Sequence, residues 1–352
     1  MPILYGFNDL RHLFSQRVTE AGVEIIGKAI DASVAVHNQA VTALFDTLVE
    51  RTTEFKTVYK TSSLASLQPL DEFGRARPIV VGGSYELGYP IQSAGIAWAR
   101  TRKAAVKMTV EEVNDLLVTL FDADVRWLRT QMLTALFRAA DWSFADEEHG
   151  TLTVKPLANN DTVVYMKRND TEYGSTDNHL LAQATFAEAN PYLSLANTLR
   201  EHPDNEGQVV TLIAEDLQDE TEALTSFMEA PDPNITPGNA DATLNSDGPN
   251  SIVPGEKLGY DKSSRSWIRT WDILPSGYMI SYMTNGVKPL RMREDPDFPG
   301  FAAIAEREDH PYWERQYERT AGFGAYNRTG AAVMRIGNAN YAAPTGYATP
   351  HI

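Results

Sequence analysis

The longest regular pattern of apolar and polar positions in the chain lies between Met108 and Trp142. This stretch contains no glycine or proline, and apolar residues recur in it every three or four positions, which predicts one amphipathic helix. Thr109 can cap its N-terminus, and Glu112 three residues later completes a capping box. At 1.5 Å per residue the helix is expected to be roughly 50 Å long, enough to act as a beam across a domain. The apolar stripe consists of Val113, Leu116, Leu117, Leu120, Phe121, Leu128, Met132, Leu136 and Ala139.

The pattern changes on the N-terminal side of this helix. After an irregular arm, residues 1–16, the spacing predicts a helix from about Val18 to Arg51. From Glu54 to Met108 it predicts strands, because apolar and polar positions alternate from Tyr85 to Trp98 and PLDEFGRARP (69–78) has turn composition. We expect a long two-stranded ribbon that leads directly into the long helix. Since an isolated two-stranded ribbon is only marginally stable in water, this ribbon needs a surface to lie on.

The C-terminal half predicts a mixture of short strands and helices, so the expected class is α+β. Residues 231–266 are rich in Pro, Gly, Asn, Asp and Ser, and are expected to form an exposed loop. The predicted helices are 178–188, 191–201 and 220–228. The predicted strands are 151–154 and 162–166 as a hairpin, 209–214, 267–274 and 278–284 joined by a Pro-Ser-Gly turn, and 325–336.

Composition restricts the class of protein. The 352 residues, 43% of them hydrophobic, suffice for one large domain or two ordinary ones. No apolar run is long enough to span a membrane, and the N-terminus lacks the pattern of a signal peptide, so synthesis in the cytoplasm is expected. There is no cysteine, which excludes disulfides and thiolate chemistry. The net charge of −16 argues against a dedicated nucleic-acid binder and requires any self-assembly to overcome repulsion between copies.

The sequence predicts no catalytic, cofactor-binding or metal-binding residues. The seven histidines form no HExxH pair, and a metal cluster would have to combine residues far apart in the chain. We interpret His202 as a cation that contacts carbonyl groups at the end of a helix, and the acidic run 146–148 as solvated. Gly322–Gly324 lacks the spacing of a phosphate-binding loop, and Gly83-Ser84 does not match a nucleophile elbow.

A basic run follows the ribbon. Arg100, Arg102, Lys103 and Lys107 lie just beyond Trp98, and on a strand residues 98, 100 and 102 would share one face. Contact with nucleic acid and contact with acidic groups of another copy are both compatible with this pattern.

The order of these elements resembles the major capsid protein family of tailed double-stranded DNA phages, which has the Hong Kong 97-type fold. The resemblance covers nearly the whole chain. It includes LQPLDEFGRARP at the ribbon tip, KMTVEEVNDLL at the start of the long helix and GFGAYNRTGAAVMRIG near the end. It implies an N-terminal arm with a helix (1–53), an E-loop ribbon (54–108), a P-domain with the long helix as its spine and a hairpin (109–177), an A-domain that includes loop 231–266 (178–304), and a return to the P-domain followed by a C-terminal tail (305–352).

By this resemblance the protein is expected to be a non-enzymatic shell subunit. The family assembles hexamers and pentamers into an icosahedral capsid around double-stranded DNA, so the implied location is the virion, after assembly in the host cytoplasm. Residues 1–53 are too short for a clear scaffolding domain, which implies a separate scaffolding protein. A portal and a possible decoration protein are further expected partners, with only weak, non-specific contact to DNA. No cofactor, metal or membrane is expected.

The resemblance and the charge pattern together predict an assembly interface. In this interpretation the apolar stripe of the spine faces its own sheet, and the charged side of the spine is available to the ribbon or arm of a neighbouring copy. The ribbon cannot bury both of its faces on its own protomer, whereas a neighbour's spine would cover the second face. The predicted interface residues are Asp71, Glu72, Phe73, Arg75, Arg77, Arg100, Arg102, Arg126 and Arg129.

Two alternatives stay open at this point. An encapsulin-like bacterial nanocompartment shares the fold but packages protein cargo. A cytoplasmic α/β enzyme with a site near loop 231–266 is the alternative from another class.

Overall fold

The computed structural model describes residues 13–60, 69–70, 72–75, 84–168, 176–229, 255–307 and 312–348. Its helices are α1 (Val18–Ala21), α2 (Val23–Phe45), α3 (Arg102–Lys107), α4 (Val110–Phe137), α5 (Pro191–Arg200) and α6 (Gln218–Glu222). Its first eight strands are β1 (Val49–Thr52), β2 (Lys56–Lys60), β3 (Ser84–Gly88), β4 (Gln92–Thr101), β5 (Trp142–Asp146), β6 (Gly150–Val154), β7 (Leu180–Gln183) and β8 (Val209–Ile213). The remaining strands are β9 (Phe227–Glu229), β10 (Glu256–Asp261), β11 (Ser266–Thr270), β12 (Tyr278–Met283), β13 (Leu290–Glu294), β14 (Phe301–Arg307), β15 (Tyr312–Ala325) and β16 (Ala331–Ile336).

The long helix α4 begins where the sequence predicts. The Thr109 hydroxyl accepts the Glu112 N–H at 3.3 Å, and the Glu112 carboxylate accepts the Thr109 N–H at 3.1 Å, so the capping box is present. The helix ends at Phe137 rather than Trp142, because Arg138 turns to extended backbone and Trp142 starts β5. The rod therefore has 28 residues and is about 42 Å long. Ala139, placed on the stripe by periodicity, lies beyond the helix and is exposed.

The apolar stripe of α4 joins the two halves of the interior. Its N-terminal part, with Leu117 and Phe121, packs with α2 and with Trp98 and Tyr317 of the first sheet. Its C-terminal part packs into a second cluster that contains residues of both sheets, such as Met132 beside strands β8, β12 and β13. Because one helix contributes to both clusters, α4 holds the two sheets in a common core.

One charged residue lies within the buried face of α4. The Asp124 carboxylate is buried and accepts hydrogen bonds from Arg319 of β15, at 2.5 Å from Nε and 2.7 Å from Nη2. His37 Nε2 of α2 donates to the same carboxylate at 2.7 Å. The His37 ring stacks on Phe121 with centroids 4.3 Å apart. These contacts fix α4 against both α2 and β15.

The first sheet has five strands, with β15 pairing with β13, β14 and β4, and β1 pairing in parallel with β13. The predicted helix 18–51 is therefore wrong at its end: α2 stops at Phe45 and residues 49–52 form a strand. Gly22, at φ +97°, separates α1 from α2, since this backbone conformation interrupts a helix.

The last part of the predicted ribbon belongs to the first sheet instead. Among the described residues of 54–108, β2 pairs with β3, whereas β4 pairs along its whole length with β15. Residues 61–68, 71 and 76–83 lie outside the described residues. Arg102 begins α3 rather than continuing the strand, so the predicted shared face of residues 98, 100 and 102 is wrong. The difference arises from tertiary structure. The 14-residue strand β15 has an edge with which β4 pairs, and this pairing buries Trp98.

The second sheet has seven strands in the order β7-β16-β12-β8-β11-β10-β9. The predicted strand 209–214 and helix 191–201 are confirmed as β8 and α5, the latter capped by the Asn190 side chain with Pro191 in the first turn. Strands β11 and β12 flank β8 on opposite sides and do not pair with each other. The predicted strand 325–336 is divided between the end of β15 and β16, which belong to different sheets.

Several other local predictions are wrong because pairing partners overrule local propensity. Residues 178–188 contain β7, which pairs with β16, rather than a helix. Residues 220–228 divide between the end of α6 and β9. The acidic connector 142–150 is largely β5, which pairs with β6, while 162–166 forms no strand. The end of the predicted loop 231–266 forms β10 and starts β11, and residues 230–254 lie outside the described residues.

We predict that Asp124→Asn lowers the free energy of unfolding of the unassembled chain by about 3–5 kcal/mol, because it leaves Arg319 as a buried charge without its counter-ion. Urea unfolding followed by tryptophan fluorescence measures this change. Asp122→Asn on the exposed side of the same helix, where Asp122 pairs with Arg126, is the matched control and should cost less than about 0.5 kcal/mol. Equal shifts in the two variants would contradict the anchoring role of Asp124.

Candidate assembly interface

The ribbon of β2 and β3 has one covered and one open face. Leu87 is fully buried, and Tyr59 stacks on its cross-strand partner Tyr85 with ring centroids 5.5 Å apart. On the opposite face Val58 pairs across the strands with Glu86 and is 51% exposed. The alternation of a strand places these two sets of side chains on opposite sides. One face of the ribbon therefore packs on its own protomer while the other lies open.

The base of the ribbon is anchored on the β5–β6 hairpin. A side chain at Gly88 would lie 2.9 Å from both Leu152 Cβ and the Thr153 carbonyl, so only glycine allows this close approach. Phe55, just before β2, stacks on His149 at 3.9 Å between ring centroids. These contacts hold the start of the ribbon in a defined direction.

A buried ion pair completes this anchor. Arg293 Nη1 donates to the Asp146 carboxylate at 2.5 Å and to the Tyr89 carbonyl at 3.1 Å. Burial by itself would raise the pKa of Asp146, but hydrogen bonds from Arg293 and from the backbone N–H groups of His149 and Glu148 outweigh it and hold that pKa below its ordinary value of 3.8. Asp146, interpreted as solvated from the sequence, is in fact buried.

The ring cluster at the ribbon base is uncharged. Burial raises the pKa of the Tyr59, Tyr85 and Tyr89 phenols, so they stay protonated. The Tyr89 hydroxyl donates to the Thr57 hydroxyl at 3.0 Å. The base is thus joined by neutral contacts in addition to the Arg293 ion pair.

The described part of the ribbon tip is exposed. Glu72, Phe73 and Arg75 are all open to solvent, with Phe73 82% and Leu70 61% exposed. The Arg75 guanidinium lies 5.9 Å from the centre of the Phe73 ring. Asp71 and Arg77, predicted as interface residues, lie outside the described residues. Large apolar side chains with this exposure, two of them within four residues of the chain, are typical of a contact surface.

An open groove lies at the start of the spine helix, with a volume of about 560 Å³. The exposed cations Arg100 and Lys107 line it together with Glu112, Asp115 and the half-buried Leu116 of α4. The complete lining is Arg100, Ala104, Lys107, Met108, Glu112, Asp115, Leu116 and Thr119. Arg102 begins α3, and its side chain lies outside the described residues. The groove therefore presents charges of both signs beside apolar surface.

The two predicted arginines of the spine are in different environments. The Arg126 side chain is 75% exposed and pairs with Asp122 one turn earlier. Arg129 is half-buried, and burial lowers its pKa, opposed by the negative charges of Asp272 and Asp122. Arg126 is available at the surface, whereas Arg129 is partly enclosed by its own protomer.

The structure also places His202 differently from the sequence interpretation. His202 is buried, its Nδ1 lies 2.9 Å from the Met166 carbonyl, and its Nε2 faces Asp177 and His179. Its ring thus contacts the carbonyl of Met166, a residue outside α5, instead of the carbonyls at the end of that helix. No local motif marks this grouping, because its members come from separate segments; the Asp-x-His spacing of Asp177 and His179 is the only sequence signal.

No protein-family model and no curated protein matches the sequence. Among solved structures, a chain of Mycobacterium phage Patience is similar with a TM-score of 0.68 and 19% identity, over 92% of this chain and 92% of that chain. The capsid of Ralstonia phage GP4 gives a TM-score of 0.48 at 12% identity, over 86% and 91% of the two chains. The capsid of the native GTA particle gives 0.48 at 10% identity, over 84% and 91%.

The likeness to the phage Patience chain shows a shared fold over almost the whole length of both chains. The predicted α+β class is confirmed by the mixture of helices and sheets. Within the part of the chain that the structure describes, no helix is both long and apolar enough to cross a membrane.

The Asp146 anchor predicts a pH dependence of the ribbon base. Because the pKa of Asp146 is depressed in the folded state, its contribution to stability is present above about pH 4 and is lost as the pH falls through the folded pKa. Hydrogen exchange of the Leu87 and Tyr89 amides, corrected for intrinsic rates, should therefore accelerate below about pH 4. Asp146→Asn should show fast exchange already at pH 7.

Glu148→Gln on the same turn is the matched control, since the Glu148 side chain is 82% exposed. It should leave the exchange profile unchanged. Identical profiles for wild type and Asp146→Asn would refute the anchoring role of this carboxylate.

Proposed function

We propose that this chain is the major capsid protein of a tailed phage, which assembles into hexamers and pentamers of an icosahedral shell around double-stranded DNA. The observation that carries the proposal is the fold shared with a phage chain over 92% of both molecules. The sequence resemblance to the same class of protein supports it independently. The function is structural, and the working form is the assembled particle in the virion, built in the host cytoplasm.

The ribbon is the main arm of assembly in this proposal. Its base is held by the Arg293–Asp146 pair and by the hairpin, so β2 and β3 leave the first sheet in a fixed direction. Its open face carries Val58, and its tip carries Phe73. A neighbouring copy that covers these side chains removes apolar surface from water, which favours association.

The groove at the start of the neighbour's spine is the proposed receiving surface. Glu72 of the tip can meet Arg100 or Lys107, while Arg75 can meet Glu112 or Asp115. Opposite charges at these positions set the register of the contact more than its strength. Asp71, Arg77 and Arg102 belong to the same proposed contact, and Arg126 offers a further cation along the outer side of the spine.

The net negative charge of each copy opposes assembly. Each copy carries −16, so closed shells need large interfaces, of several thousand Å² per subunit, to outweigh repulsion. The same charge makes contact with packaged DNA weak and non-specific. We further propose a separate scaffolding protein, a portal and a decoration protein as partners.

The fold likeness to a phage chain favours a viral shell over the encapsulin-like nanocompartment. Neighbouring genes separate the two directly: terminase and portal genes accompany a capsid gene, whereas a cargo enzyme accompanies a nanocompartment. An enzymatic function has no support in the sequence, which lacks an HExxH pair, a phosphate-binding loop and a nucleophile elbow.

Electron microscopy and sedimentation of the purified protein test the proposal. We expect regular closed particles or their capsomers, and more assembly at about 0.5 M than at about 0.05 M salt, because salt screens the repulsion between acidic copies. A chain that stays monomeric at every salt concentration, also in the presence of its scaffolding protein, would refute the proposal.

Deletion of residues 66–78 is predicted to leave soluble monomers or capsomers while abolishing closed particles, because the tip contact is lost and the fold is retained. Circular dichroism checks the fold, and sedimentation velocity measures the particle fraction. Normal particles from the deletion variant would show that the tip has no role in assembly.

Point variants separate the chemistry of the tip from its length. Phe73→Ser should reduce the yield of closed particles at least about tenfold, as expected for the loss of roughly 1.4 kcal/mol at one contact. Phe298→Ser is the matched control, because Phe298 is 59% exposed and belongs to the connection between β13 and β14 rather than to the ribbon tip. Equal losses in both variants would contradict a specific role of Phe73.

A further inference from the structure

Three potential metal ligands meet in the interior beside the second sheet. The Asp177 carboxylate oxygen Oδ2 lies 2.6 Å from His202 Nε2 and 3.3 Å from His179 Nε2, and the two Nε2 atoms are 3.1 Å apart. All three residues are buried. This cluster lies outside the proposed assembly interface, and the proposed capsid function does not account for it.

The other nitrogen of each histidine ring fixes which atom carries the proton. His179 Nδ1 lies 2.9 Å from the Ala331 carbonyl, and His202 Nδ1 lies 2.9 Å from the Met166 carbonyl. Because a carbonyl oxygen only accepts hydrogen bonds, each Nδ1 must be the donor. In the neutral rings both Nε2 atoms therefore present lone pairs. Together with the Asp177 oxygen, three acceptors point at one another.

Such an arrangement requires a positive charge at its centre. A single proton can lie between only two of the three acceptors, and the third keeps a buried lone pair without a partner, which is costly. A divalent cation accepts all three lone pairs at once. Histidines that bind a metal usually donate their other ring N–H to a carbonyl or carboxylate, and both rings do so here.

The distances agree with a small transition-metal ion. Ligands at about 2.0–2.1 Å from zinc in a tetrahedron lie roughly 3.3 Å apart. Two of the three separations, 3.1 and 3.3 Å, are already close to this value. The Asp177–His202 separation of 2.6 Å widens by less than about 1 Å on binding, which a rotation of the carboxylate provides.

We propose that Asp177, His179 and His202 bind a divalent transition-metal cation of the zinc class, with a water molecule as the fourth ligand. Two imidazoles and one carboxylate suit zinc better than magnesium or calcium, which prefer oxygen ligands. The proposal concerns the single chain and does not depend on its assembly.

The cation links three elements that the chain brings together only on folding. His202 follows α5, His179 precedes β7, and the carbonyls that orient the rings belong to β16 and to Met166. Lys167 supports the site from outside, with Nζ 2.7 Å from Glu201 and 3.4 Å from Asp177. The bound ion therefore acts as a structural clamp between the C-terminus of α5 and the edge of the second sheet.

Metal analysis of the full-length protein tests the proposal. Elemental analysis after purification without chelators, and titration of chelator-treated protein with Zn²⁺, should both give one ion per chain. Zinc at about 100 times its Kd should raise the Tm by about 5 °C. Co²⁺ added instead should give visible absorption bands of a low-symmetry, four-coordinate site.

Ligand variants and a matched control locate the ion. His179→Gln and His202→Gln should each weaken Zn²⁺ binding more than about 100-fold, a larger loss than that for an outer-shell contact. His149→Gln removes another histidine, one at the surface beside an exposed glutamate, and should leave the affinity unchanged. If the ligand variants do not fold, the Co²⁺ spectrum and the stoichiometry of the wild type decide.

Two results would overturn the proposal. The first is wild-type protein that binds no zinc and shows no change in Tm with it. In that case the stability of the metal-free wild type should fall as the pH rises through the range where histidine loses its proton, because a shared proton then occupies the cluster in place of a metal. The second is Zn²⁺ binding that is lost in His149→Gln and retained in both ligand variants.

Discussion

The ion pair between Asp124 and Arg319 is the contact on which the geometry of the whole molecule depends. A carboxylate on the buried face of a long helix would be costly without a counter-ion, so the helix can pack in only one rotation about its axis. In that rotation the carboxylate meets Arg319 of the longest strand and His37 of α2. The outward face of the spine, with Arg126, follows from the same constraint.

The two ends of the ribbon differ in burial. Its base is buried against the hairpin and the first sheet through Gly88, Leu87 and the Arg293–Asp146 pair. Its outer face and tip expose apolar side chains that its own protomer leaves open to solvent, including Val58 and Phe73. An arm that is rigid at one end and exposed at the other is suited to reach a neighbouring copy, because little entropy is lost on docking.

A second cluster of buried polar side chains lies at the junction of α5 and the second sheet. There the ring orientations of His179 and His202 are fixed by backbone carbonyls, and both rings turn their lone pairs toward Asp177. The Asp124 cluster is satisfied by a cation that the chain itself supplies. At Asp177 the chain's own cation, Lys167, approaches only the outer oxygen Oδ1. With neutral rings, the three atoms that face one another are all acceptors, which is why the cluster points to an external cation.

The sequence by itself determined the elements whose signals are local. Four such features are present where the pattern predicts them, because each depends on neighbouring residues: the capping box at Thr109 and Glu112, the stripe of α4 as far as Leu136, the start of α5 at Pro191, and the apolar run of β8. The α+β class and the likeness to a phage fold followed from the order of such elements. Only the tertiary structure decided that β4 joins β15, that 180–183 is a strand, and that Asp124 and Asp177 are buried with their partners. Strand pairing and charge burial join residues far apart in the chain, as with Asp124 and Arg319, so their energies depend on contacts that no local window contains.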